Sequence, residues 1–338
     1  MTRLILTADS SSAGGLQQAG RADVVIAVAP RLVWGPLPSD DEFNALLAPR
    51  TTQKPGDHWL DFASPSAVKK IGGRDPALIE LCARHETVEL WMESNPNDQL
   101  VLIWLLDHFH THSSGATNLI LRYIDASLGD ADPKRLAKWK FAAVSITKDH
   151  LEIASQAWQA YRAPTPQAWF SLLKTDLSIL PQLRRTVLEL LDELPGRATG
   201  LGASELRILE LISAGYAHPF DLFPHYRDRF QRRVFGYWEA GALLEGLALA
   251  PTPAVSGLAE WPFTPEMHDL RHRHERYKAS RLSLTALGRA ILAQADDFSL
   301  HNPIDRWWGG TRLTNDRLWR WNPMLMKPRL DQGRSGIL

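Results

Sequence analysis

The stretch TVELWMESNPNDQLVLIWLL, residues 87–106, reads as a buried strand, a short polar turn and a buried helix. Thr87–Met92 is a short apolar run of strand-forming residues. Glu93-Ser94-Asn95 breaks it. Asn95 is then a helix cap, Pro96 sits at the first helical position and Asp98 in the first turn, so a helix from about Pro96 to His110 is expected. The same grammar recurs on either side. Leu4–Thr7 runs into Asp9-Ser10-Ser11-Ser12 and a helix near Ala13–Ala19. Val24–Val28 runs into Pro30-Arg31 and then Trp34-Gly35-Pro36; Asn118–Ile124 runs into Asp125. Strands alternating with helices predict a parallel sheet. The carboxyl ends of such strands share one edge, which is where open α/β sheets bind ligands.

Downstream, helices alone are expected from about Asp132 to Leu194. Thr147 caps one carrying Leu151, Ala154, Trp158 and Tyr161 at helical spacing. Pro195–Gly202, with three glycines and a proline, reads as a linker. Ala203–Ala214 is an amphipathic helix, and shorter helical pieces are expected near Asp221–Tyr226 and Tyr237–Leu244. A charged, proline-rich loop over Pro251–Ser280 and a strand, Thr cap and helix over Arg281–Leu292 complete the outline of a winged helix. The expected fold class is an α/β N-terminal domain with a small parallel, Rossmann-like sheet (residues 1–128), an α-helical connector (129–196), a winged-helix-like C-terminal module (203–296) and a Trp-rich tail packing on the rest (297–338).

Composition narrows the function classes. A chain of 338 residues is long enough for two or three domains, and 38 basic residues balance 38 acidic ones, which argues against a strong nucleic-acid binder. Cys82 is the one cysteine, so there is no internal disulfide and no thiolate zinc site. The N-terminus is too briefly apolar for a signal peptide, and the longest apolar run, Leu100–Leu106, falls far short of the roughly 20 residues of a membrane span. A cytoplasmic protein without a membrane partner is the expectation.

Several motifs resemble a bacterial family known as domain of unknown function 1835. ADSSSAGGL resembles its Gly-Asp-Ser start, RLVWGPLP its Gly-Pro loop, and ELWMESNPNDQLVLIWLL its Glu-x-Trp strand, turn and Asp-Gln-Leu helix start. RLSLTALGRAIL and NPIDRWWGGTRLTNDRLWRWN are similar to its C-terminal section. Ala8 and Asn322 depart from the family's usual glycine and aspartate. The resemblance implies the architecture and leaves function open.

The candidate ligand rim is Asp9, Ser10, Ser12, Trp34, Glu93 and Asp98. Small hydroxyl residues at a helix start suit an anion, Trp34 would wall the pocket, and the carboxylates, with Asp125 at the same edge, would fix polar groups or a Mg²⁺ ion. Helix capping is the plainer role for Asp98. No Walker loop, dinucleotide fingerprint or Gly-x-Ser-x-Gly elbow is present. His108 and His112 share a helix face but read as C-terminal dipole partners, and no metal site is assigned. Basic residues lie at Arg227–Arg233 and at Arg271, Arg273, Arg276 and Lys278, the last group where a wing would be.

The leading expectation is a protein that binds a small anionic or nucleotide-like ligand at the strand carboxyl ends, with no cofactor identified. The alternatives are a ligand-responsive DNA-binding regulator and a metal-assisted phosphoryl-transfer or hydrolytic enzyme using Asp9, Glu93 and Asp98. A protein partner or homodimer contact through Trp307, Trp308, Trp319 and Trp321 is the further option.

Overall fold

The four expected strands form β1 (Arg3–Thr7), β2 (Val24–Ala27), β3 (Thr87–Glu93) and β4 (Leu119–Ile124) in the computed structural model, which describes residues 2–72, 75–112, 118–223 and 234–332. All four run parallel, and a short fifth strand, β5 (Ala143–Ser145), closes the edge antiparallel. The order is β2-β1-β3-β4-β5, so the strand order reverses between β1 and β3. β1 and β3 are central, and Leu4 to Thr7 and Val88 to Met92 are buried along their whole length, as a sheet covered on both faces requires.

The chain divides into two compact units. The first comprises residues 1–32, 37–162 and 172–186 and contains this sheet. One of its covering helices is α1 (Ser10–Gln18), joined by the short α6 (Pro133–Leu136). Ile5, Val25, Ala27, Trp91 and Ile124 of the sheet pack with Ala13, Leu16 and Leu136 in one buried cluster. The longest helix, α5 (Pro96–His112), lies between β3 and α7 (Lys148–Arg162). Leu100 to Leu106 are therefore buried without interruption, as a helix enclosed on all sides demands. α7 turns Ala154, Ala157, Trp158 and Tyr161 inward, three of them at the expected helical spacing. Between β2 and β3 come α2 (Asp40–Leu47), α3 (Pro65–Ile71) and α4 (Leu78–Ala83). α2 starts with a capping box, in which Ser39 and Glu42 satisfy each other's backbone N–H groups.

The second unit comprises residues 33–36, 163–171 and 187–338. It holds α8 (Gln167–Ser171), the end of α9 (Leu183–Leu191), α10 (Ala203–Ser213) and α11 (Tyr237–Ala248). A two-stranded antiparallel ladder, β6 (Val255–Ser256) with β7 (Ser283–Leu284), is followed by α14 (Ala286–Leu292), whose cap is Thr285. The segment between those strands contains two helices, α12 (Pro265–Asp269) and α13 (Arg271–Lys278), where the sequence suggests a charged loop. After α15 (Phe298–His301), the Trp-rich segment is a four-stranded antiparallel sheet: β8 (Asp305–Trp308), β9 (Thr311–Thr314), β10 (Arg317–Asn322) and β11 (Lys327–Gln332). Trp308, Trp319 and Trp321 are buried there, while Trp307 is half-exposed. The Trp308 indole donates to the Leu190 carbonyl at 2.7 Å and the Trp321 indole to Asp192 at 2.8 Å. Pro195–Gly202 is pinned inside this unit, since Pro195 O accepts from Trp321 N at 2.9 Å and Gly196 O from the Arg320 guanidinium at 3.0 Å.

Candidate functional site

The reversal of strand order falls between the ends of β1 and β3, and the residues just past those ends are Asp9 and, at the last position of β3, Glu93. This is the edge at which a doubly wound sheet leaves a crevice. Asp9 caps α1, its carboxylate accepting from Ser12 N at 2.6 Å. Ser12 is buried and Ser10 exposed. The loop after β4 comes close: a Cβ built on Gly129 would lie 3.4 Å from Asp9 Oδ2 and 3.7 Å from Ser12 Oγ. Glu93 accepts from Leu128 N of that same loop at 2.8 Å. Asp98 is buried, its carboxylate accepting from Glu93 N at 2.9 Å, while its own N–H is capped by Asn95 at 3.0 Å. Burial, and then the neighbouring Glu93 charge, push the Asp98 carboxyl up to about 7. Asp9 adds to that effect at longer range. Five of the six expected rim residues, Asp9, Ser10, Ser12, Glu93 and Asp98, thus lie at the carboxyl ends of β1 and β3. The sixth, Trp34, groups with the second unit, where its half-exposed ring meets Phe235 edge-on at 5.5 Å. Asp125 is exposed at the end of β4.

Two features at this edge carry no pattern in the sequence. The first is Asn97, buried beside Asp98. Its Oδ1 accepts from Leu32 N at 2.8 Å and its Nδ2 donates to Pro30 O at 3.2 Å. Tyr161 Oη donates to Leu32 O at 3.0 Å. The loop leaving β2 is thereby fixed to the start of α5 and to α7. The second is a recess of about 310 Å³ beyond the end of β2, bounded by Pro30, α2 and the loop that follows it. Arg50, Thr51, Thr52, Lys54 and His58 line it, with Glu42 and Asp57 as acidic counterparts. Arg50 shapes the loop by bridging Asp61 at 2.6 Å and Asp75 at 3.1 Å. His58 Nδ1 accepts from Leu60 N at 3.2 Å, so Nε2 carries the proton and donates to Ala48 O at 2.9 Å. Burial keeps this neutral form by lowering the imidazole below its ordinary range.

The other candidates sit elsewhere. His108 and His112 stack with ring centres 4.4 Å apart at the end of α5, and burial holds His108 down at about 4. Among the described residues no group of three or more His, Cys, Asp or Glu side chains is arranged to hold a metal ion. Cys82 is buried, and burial drives its thiol up to about 12, so it is packing rather than a nucleophile. Arg273 and Arg276 of α13 both face Glu260, at 2.8 and 3.6 Å; Arg273 is half-buried by this, while Arg271, Arg276 and Lys278 stay exposed. The basic residues at 227–233 lie outside the described residues. No helix is long and apolar enough to cross a membrane among the described residues. Comparison with protein-family models and with curated proteins finds no match to this chain.

Proposed function

We propose that the first unit is a Rossmann-like domain that binds one small ligand along the carboxyl edge of its sheet. The observation that carries this reading is the strand-order reversal between β1 and β3, with a recess beyond the end of the neighbouring edge strand β2 that none of the six rim residues lines. The recess is within the size range of small-ligand sites. Its lining suits an anionic or nucleotide-like metabolite that also bears a donor. Lys54, Thr51 and Thr52 offer donors to the anionic part; Asp57, which now pairs with Lys54 at 3.4 Å and accepts from Thr52 at 3.3 Å, is the acid a ligand donor would meet. Ser10 and the start of α1 add donors nearer the switch point.

The metal-assisted reading has less support, because Asp9, Glu93 and Asp98 are each already engaged by backbone N–H groups. For the second unit we read α10, α11, α14 and the β6–β7 ladder as a winged-helix-like module.

Ligand-dependent thermal shift with a panel of phosphorylated and carboxylated metabolites tests the proposal. At least one compound should raise the melting temperature of the wild type. The rise should vanish in a Thr52→Val/Lys54→Glu variant whose unliganded melting temperature is unchanged. A panel without effect, or one in which no compound loses its effect in the variant, would reject it.

A further inference from the structure

A second cleft of the first unit lies away from that edge, over the sheet face covered by α1 and α6. It is lined by Arg21, Arg122, Lys138, Trp139, Lys140 and Phe141 and is broad, about 640 Å³ and open to solvent. The last four belong to a short segment, residues 133–141, that reads PKRLAKWKF and holds four cations and no acid, in a chain with no net formal charge. The cations are disposed in two ways. Arg122 is used structurally: Nε and Nη2 hold the buried Glu89 at 2.9 and 3.2 Å, and Nη1 donates to Phe141 O at 3.0 Å. Glu89 is further occupied by the Trp91 indole at 2.8 Å and by Arg3 at 3.5 Å. Arg21 lies over the Trp91 ring at 5.0 Å and gives one N–H to Ala137 O at 3.1 Å, while its buried Nε has no hydrogen-bond partner. Lys138 and Lys140 are exposed. The guanidinium of Arg21 and two exposed lysines line one cleft, and no Asp or Glu is among its lining residues.

Aromatic surface is set among these charges. Trp139 and Phe141 are half-buried and meet edge to face at 5.4 Å, and Phe141 meets Trp91 in the same way at 5.7 Å. Both rings rest on the buried cluster that includes Trp91 and keep part of their surface exposed beside the cations. Cations alone take any anion; cations interleaved with ring faces select an anion that carries its own flat ring.

From this cleft we infer a second binding site, one that takes a nucleotide unit: phosphate toward Arg21, Lys138 and Lys140, and base against Trp139. The unit comes either as a free nucleotide or within a single strand.

Titration calorimetry on the full chain with AMP, GMP, inorganic phosphate and a short single-stranded oligonucleotide tests this. A saturable mononucleotide isotherm is expected, at least ten times tighter than that of inorganic phosphate. Lys138→Glu/Lys140→Glu should weaken it at least tenfold, and Trp139→Leu should erase the preference over phosphate. An oligonucleotide tighter than AMP by tenfold or more, with a steep salt dependence, assigns the source to a strand; equal affinities assign it to the free nucleotide. Both outcomes support the site. It is overturned if no nucleotide binds, if phosphate binds as tightly, or if the lysine variant binds unchanged. Thr52→Val/Lys54→Glu should leave this binding intact, which separates its outcome from that of the sheet-edge site.

Discussion

Replacing Asp98 with asparagine should change how stability depends on pH. Asp98 is buried at the start of α5, and its carboxyl sits at about 7 instead of the ordinary 3.8. In the unfolded chain this group ionises near its ordinary value; in the folded protein it resists ionisation until about pH 7. Below the lower value both states hold the proton and the group is neutral to stability. As pH rises, the unfolded chain releases its proton first, and stability drains away until the folded midpoint is passed. At about 1.4 kcal/mol for each unit of pH, the full cost is on the order of 4 kcal/mol. The side-chain amide of the Asp98→Asn variant would keep an oxygen to accept from Glu93 N, now at 2.9 Å, and would never ionise. Chemical denaturation of wild type and Asp98→Asn from below about pH 4 to above about pH 7 reads the difference directly. The variant should match or fall slightly below the wild type at the acid end and gain on it steadily, levelling off above neutrality. Parallel curves, or a variant that loses ground as pH rises, would show that Asp98 is an ordinary solvated cap.

His108 works in the opposite sense. Its imidazole is held at about 4, so the unfolded chain takes up a proton first as pH falls below its ordinary 6.5; His108→Gln should remove an acid-side loss of about 3 kcal/mol, seen as a flatter denaturation profile between about pH 6 and pH 4. Asn97→Ala removes both bonds to the loop after β2 and leaves Leu32 N unpaired in a buried place. A loss of roughly 2–3 kcal/mol is expected in urea unfolding, with faster hydrogen exchange at Leu32. Gly257, at φ +91°, ends β6, and a Cβ there would fall 1.9 Å from Arg281 O. Gly257→Ala should cost more than about 2 kcal/mol and lower the melting temperature; a neutral result would contradict the close approach of the two chain segments at the end of the β6–β7 ladder.

The first unit is largely legible in the sequence because its signals are local. Thr87–Glu93 and Pro96–His112 announce themselves by an apolar run, an Asn cap and a first-turn proline, all within one short stretch of neighbouring residues. β5 has no such signal: three residues with partly or fully exposed side chains carry no periodicity. Nor has β10, where Leu318 to Trp321 are all buried, so the alternation that marks a strand is missing. α13 shows only Tyr277 buried among charged neighbours and gives no apolar stripe. The rim carboxylates are readable because Asp9 follows β1, Glu93 ends β3 and Asp98 lies in the first turn of the helix after it. The recess is not, since its shape depends on Arg50 reaching Asp61 and Asp75 and on His58 reaching Ala48, pairings that no local pattern encodes.

The proposed ligand site at the sheet edge is tested most directly by native mass spectrometry of the purified full chain beside its Thr52→Val/Lys54→Glu variant. A small-molecule adduct on the wild type that is absent from the folded variant is the predicted result. The absence of any adduct that is lost in the variant, even after incubation with the metabolite panel, would contradict it.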